Sequence, residues 1–160
     1  MRTWIVNEIG AKPTPRDLEE PIPAKGEVVV QVEAVGLNFA DMLAIQGKYQ
    51  IRQSLPYVPG MEFSGVVESL GPEATGPMPG TRVLGTCLAG ALAERLCLPA
   101  TRLCVMPEAM TFTEAAGFPI AYGTSHLALT HKARLQRGET LFVTGAAGGV
   151  GLTAVEIGKR

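Results

Sequence analysis

The feature that most restricts this fold lies near the end of the chain. Residues 140–144 read TLFVT, a short apolar run of the kind buried in parallel sheets. GAAGGVG follows at once, and residues 152–160 then carry helical spacing. Strand, glycine-rich turn and helix make the first half of a strand–helix–strand unit. The chain stops at Arg160 in mid-helix, before a second strand, so the expectation is a fragment or a truncated protein. A phosphate-holding turn in this position is spelled G-x-G-x-x-G, for a tight turn, close backbone approach and close helix packing in that order. The aligned residues here are Ala146, Gly148 and Gly151, so the first glycine is missing. In this context phosphates would meet the amides of Ala147, Gly148, Gly149 and Val150, at the positive end of the helix dipole. The plainer alternative is a tight strand-to-helix turn with no ligand.

The first three-quarters of the chain reads differently. Glycine and proline number 19 and 12 among 160 residues, while charged residues are only 18%. That balance predicts short strands joined by many turns. Strand patterns cover residues 1–6, 27–35, 61–70, 81–84, 91–98 and 103–106, and residues 13–23 read as turn material. Asn38 is placed to cap a short helix over residues 39–46, closed by Gly47. After Met106 the texture changes. Thr111 and Glu114 fit a capping box, and residues 115–134 are helically spaced with a break near Pro119.

Several classes are excluded early. Lys plus Arg is 14 and Asp plus Glu is 15, a net charge of −1, which argues against a nucleic-acid groove. The longest stretch free of charged side chains, residues 115–131, holds Gly117, Pro119 and Gly123 and falls short of the about 18 apolar residues of a membrane helix. The N-terminus lacks the apolar run of a signal peptide. Cys87, Cys97 and Cys104 form no CxxC and are expected to be buried apolar thiols. The reading is a soluble, cytoplasmic protein with no nucleic-acid or membrane partner.

GLNFADML (residues 36–43), PYVPGMEFSGVVESLG (56–71), TRVLG, GALAERLCLPA (90–100), EAAGFPIAYGTSHLAL (114–129) and GETLFVTGAAGGVG (138–151) occur in order. Together they resemble the medium-chain dehydrogenase/reductase superfamily, in its zinc-free quinone oxidoreductase, or ζ-crystallin-like, branch. The resemblance implies a mainly β fold with short helices, a GroES-like, partly open β-barrel followed by the first strand and partial helix of a truncated Rossmann domain. It divides the chain into a GroES-like domain over residues 1–110, connecting helices over 111–137 and the start of the NAD(P)-binding domain over 138–160. The T-G-x-x-x-G-x-G spelling through Thr144, Gly145, Gly149 and Gly151 also resembles short-chain dehydrogenases. That reading is rejected, because no tyrosine in the chain is followed four residues later by lysine.

Zinc-dependent relatives carry a cysteine where Asn38 stands and a histidine where Met61 stands. An amide and a thioether are poor zinc ligands, and His126 and His131 lack metal-ligand spacing. No metal is therefore expected. Without a Lewis acid, the remaining chemistry is hydride delivery from NADPH to a substrate already polarised, such as a quinone or an enone. The resemblance implies that Asn38, Asp41 and Tyr49 line the reacting cleft, with Asn38 meeting the nicotinamide ribose or a substrate carbonyl and Tyr49 giving a proton or hydrogen bond. Asn38, Phe39 and Thr124 fall on the cofactor side, with the glycine-turn amides. Each has a bland alternative: Asn38 as a helix cap, Asp41 paired with a cation, Tyr49 as an aromatic anchor, Thr124 bonded back to its own helix. Leu43 stands where some relatives have a second tyrosine. The complete protein is expected to be a homodimer acting on a small molecule, and the fragment alone to be inactive. The rival readings are an enoyl-thioester reductase of the same superfamily and a non-catalytic GroES-like binding module.

Overall fold

Three successive buried valines, Val28, Val29 and Val30, fix a central strand covered on both faces. The computed structural model describes residues 1–160. They form two compact units, Met1–Gly117 and Phe118–Arg160. In the first unit, β1 (Arg2–Ile5) and β2 (Thr14–Asp17) make an antiparallel ribbon. The main sheet holds β3 (Glu27–Gly36), β4 (Glu62–Leu70), β5 (Arg82–Thr86), β6 (Arg95–Pro99) and β7 (Leu103–Val105). Its order is β6-β3-β4-β5-β7, antiparallel throughout. Both sheets are open and the helices are short, so the fold is mainly β without a closed barrel.

Alternation sets the faces of this sheet. Along β3, Gln31 and Glu33 face solvent, whereas Val28 and Val30 join Phe63, Val67, Val83, Leu96 and Leu98 in the core. Emptying the Phe63 position to alanine would cost about 3–5 kcal/mol, because the cavity lies where these strands cannot collapse. Gly65 is required by contact: a Cβ there would sit 2.1 Å from the Gln31 carbonyl oxygen. The helix α1 (Phe39–Ile45) leaves the end of β3, and Gly47, with φ of 67°, closes its end. The helix α2 (Phe112–Ala116) has the expected capping box. The Glu114 amide donates to Thr111 Oγ1 at 3.3 Å, and the Thr111 amide donates to Glu114 Oε2 at 2.8 Å.

Two expectations fail in instructive ways. Residues 13–23 contain a strand, β2, where the sequence predicts only turn. All four of its residues are exposed, so no apolar alternation marks it, and Pro15 is tolerated because this is a solvent-facing edge. Residues 140–144 form no strand. The second unit is helical, with α3 (Pro119–His126), a π-helical stretch (Leu127–Lys132) and α4 (Gly149–Gly158). It holds no strand to pair with, and a parallel ladder cannot form alone. Phe142 is accordingly 86% exposed.

Candidate active site and glycine turn

In the first unit the chemistry gathers where β3 gives way to α1. Asn38 occupies the N-cap position in an extended conformation and forms a capping box with Asp41. Nδ2 donates to Glu62 Oε1 at 2.7 Å, and the Asn38 backbone N–H donates to Asp41 Oδ2 at 2.8 Å. The Asp41 N–H also donates to the Asn38 main-chain carbonyl at 3.0 Å. The capping expected of Asn38 is therefore present, as a box shared with Asp41. The carboxylate at the third helical residue serves the cap, which also places a negative group at the positive helix end.

Asp41 is 5% exposed and Glu62 is 2% exposed. Burial raises the Asp41 carboxyl above the usual carboxylate range, and the amides of Asn38 and Gly60 pull it partly back. The cation expected beside Asp41 is not there; its partners are backbone amides. The reason is geometric, since a short helix turning directly from a strand offers free N–H groups that satisfy a carboxylate without desolvating a second charge. Asp41 Oδ1 and the Tyr57 hydroxyl are buried without hydrogen-bond partners. Burial, and then the Asp41 charge, raise the Tyr57 phenol. Cys87 donates to the Gly60 carbonyl at 3.4 Å, and burial pushes its thiol up to about 11. All three cysteines are free, but Cys87 and Cys97 are half-buried and Cys104 is exposed, against the expectation of three buried thiols. Cys104 sits on β7 at the sheet edge, where it and Val105 are both exposed.

Tyr49 is half-buried just beyond Gly47, its backbone N–H bonded to the Leu43 carbonyl at 3.2 Å. No hydrogen bond joins it to Asn38 or Asp41. Phe39, the first residue of α1, presents a ring that is 72% exposed. Neither Glu62 nor Tyr57 stands out in the sequence as a site residue. A Glu inside a strand pattern reads as its solvent face, and only the pairing of Glu62 with Gly36 shows that it points inward.

The second unit carries the glycine turn. Gly145 has φ of 68°, so the left-handed turn falls one residue before the Ala146 position where the fingerprint wants glycine. Gly148 caps α4, with its N–H on the Gly145 carbonyl at 3.0 Å and its own carbonyl accepting from Leu152 at 2.8 Å. A Cβ on Gly151 would lie 2.2 Å from the Gly145 carbonyl oxygen, so turn and helix touch there. Ala147, Gly148, Gly149 and Val150 are all exposed at this helix start. That is a cradle for an anion: first-turn amides without helical partners, a favourable dipole, and no side chain in the way.

A buried polar clasp holds α4 in place. Ser125 Oγ lies 2.6 Å from the Val150 carbonyl and 2.8 Å from Thr153 Oγ1, which also reaches the Ala121 carbonyl at 3.1 Å. Tyr122 bonds to Glu156 beside it. Thr124 is exposed on α3 and makes no bond back to its helix; Thr130 does, to the His126 carbonyl at 2.6 Å. His126 and His131 are exposed, and nowhere do three His, Cys, Asp or Glu side chains converge as a metal would need.

An open antiparallel sheet followed in the chain by a glycine turn on a helix places this protein in the medium-chain dehydrogenase/reductase superfamily. Residues 24–108 match the alcohol dehydrogenase GroES-like domain, and the chain belongs to that family. It is 47% identical over 132 residues to the quinone oxidoreductase-like protein 2 homolog of Nematostella vectensis, covering 82% of this chain and 36% of that one. The crystal structure of human synaptic vesicle membrane protein VAT-1 homolog-like protein superposes with a TM-score of 0.95 at 35% identity, over 98% of this chain and 52% of that one. The quinone oxidoreductase of Thermus thermophilus, whose structures include a complex with NADPH, gives 0.89 at 40% identity over 99% of this chain and 50% of that one. The chain thus spans about half the length of these solved relatives.

Proposed function

We propose that this chain belongs to an NADPH-dependent, zinc-independent oxidoreductase that reduces quinones or related α,β-unsaturated carbonyls. The observation that carries the reading is the Gly145–Gly151 contact, which bares the amides of Gly149 and Val150 to an incoming pyrophosphate. The cofactor, when bound, supplies the hydride. The chain's own residues hold its phosphates at the start of α4 and, around Asn38, its reacting end or the substrate. Tyr49 donates a hydrogen bond or proton to the substrate, with Asp41 fixing the loop that carries Asn38. Phe39 and Thr124 complete the nicotinamide side of the proposal.

Independence from zinc is supported by the donor set. Asn38 is engaged with Glu62, Met61 offers a thioether, and no third ligand converges on them. A small-molecule substrate and a homodimeric, cytoplasmic complete protein belong to the same proposal. No helix is long and apolar enough to cross a membrane.

The test is NADPH titration of the complete protein and of its Gly151→Ala variant. Because the new methyl must push against the Gly145 carbonyl, affinity should fall at least about tenfold, with about 1–3 kcal/mol lost from the second unit. Equal affinity in the two proteins would remove the glycine turn from cofactor binding.

A further inference from the structure

Two hydroxyls lie side by side between α3 and α4, where an alanine and a valine would fill nearly the same space. Ser125 is wholly buried and Thr153 is 6% exposed, so bulk water does not compete for them. Burying hydroxyls costs free energy unless their hydrogen bonds are made. Each carries a single proton. Ser125 gives its proton to the Val150 carbonyl, the shortest contact of the cluster at 2.6 Å. The 2.8 Å contact between the two hydroxyl oxygens then needs Thr153 as donor. The carbonyls of Val150, Ala121 and Gly149 lie farther from Thr153 Oγ1, at 3.0, 3.1 and 3.2 Å. The result is a directed chain, from Thr153 to Ser125 to the Val150 carbonyl, in which each bond polarises the next.

The end of that chain matters because of what shares its peptide plane. The Val150 carbonyl and the Gly151 N–H belong to one amide unit. Gly151 is the third residue of α4, so its N–H is among those with no partner inside the helix. A proton held on the carbonyl oxygen draws electron density through the amide and makes the N–H opposite a stronger donor. The same chain ties the first turn of α4 to α3, which carries Ser125. We infer that Ser125 and Thr153 are positioning residues for the cofactor's pyrophosphate, which hold the first turn of α4 and polarise its Val150–Gly151 amide. The inference rests on the proposed cofactor binding and deepens it, since both hydroxyls act through the backbone and neither meets the cofactor.

The experiment compares the complete protein with two variants. The double variant Ser125→Ala, Thr153→Val removes both hydroxyls at nearly constant volume, and Thr153→Ser keeps the donor. In the ligand-free proteins, the nitrogen signal of the Gly151 amide in nuclear magnetic resonance should move upfield in the double variant and stay in place in Thr153→Ser. Affinity for NADPH should fall about three- to tenfold in the double variant, as for one lost hydrogen bond, and stay within about twofold in Thr153→Ser. In turnover with a simple quinone, KM for NADPH should rise while kcat at saturating NADPH does not fall. A clasp that only stabilised the second unit would lower the melting temperature and leave both the Gly151 signal and the affinity of the folded protein unchanged. That result overturns the inference, as does a fall in kcat at unchanged affinity. If the double variant does not fold, Ser125→Ala alone breaks the last link and must move the same signal upfield. Should wild type bind no NADPH, the reductase reading falls with the cofactor half of the inference, and the Gly151 signal alone still decides whether the hydroxyls polarise the turn.

Discussion

At the scale of single residues, Asp41 carries a conflict between burial and charge. Its carboxyl is raised by desolvation in the folded protein, so in the window above the ordinary carboxylate value the folded state binds more protons than the unfolded one. Stability must then fall as pH rises through that window and recover on acidification. Asp41→Asn keeps an oxygen for the Asn38 amide and removes the charge. Denaturation midpoints of wild type and Asp41→Asn, compared between acid and neutral pH, should diverge as pH rises, with the variant favoured at neutral pH. A constant difference across the range would mean that burial of Asp41 carries no charge penalty. The residues themselves were partly legible in the sequence. Asn38 stands out as a candidate helix cap and Asp41 only through the family resemblance, whereas the inward turn of Glu62 depends on its register against Gly36 and on two bulges in β3.

Elements show the same division between local and distant information. The Thr111–Glu114 box is written in four residues and forms as expected, because both partners lie within one turn. Thr111→Ala should therefore lower the stability of the first unit by about 1 kcal/mol, the usual cost of a lost N-cap, measured by chemical denaturation. No change would show that α2 is held by packing alone. Residues 140–144 depart from the strand expected of them for the opposite reason. Their apolar run specifies a strand only in company, and ladder partners are not a local property. The glycine turn lies between these cases: its place was legible, while the shift of the left-handed residue to Gly145 was not.

On the scale of the whole molecule, the two units differ in how they protect their backbones. The first has a five-stranded ladder around Val28, Val30 and Phe63; the second has helices and an unpaired extended segment. In the isolated chain as a dilute monomer, amide exchange should be slow along β3 and β4 and fast across Leu141, Phe142 and Val143. Strong protection of those three amides in a monomer would contradict the absence of a ladder there. The complete protein is proposed to deliver hydride from NADPH without a metal. The most direct measurement is NADPH oxidation by the complete protein with a simple quinone, before and after exhaustive chelation. The account predicts saturable turnover that chelation leaves unchanged and that added zinc does not raise. Turnover lost on chelation and restored by zinc, or no oxidation with any quinone or enone, would contradict it.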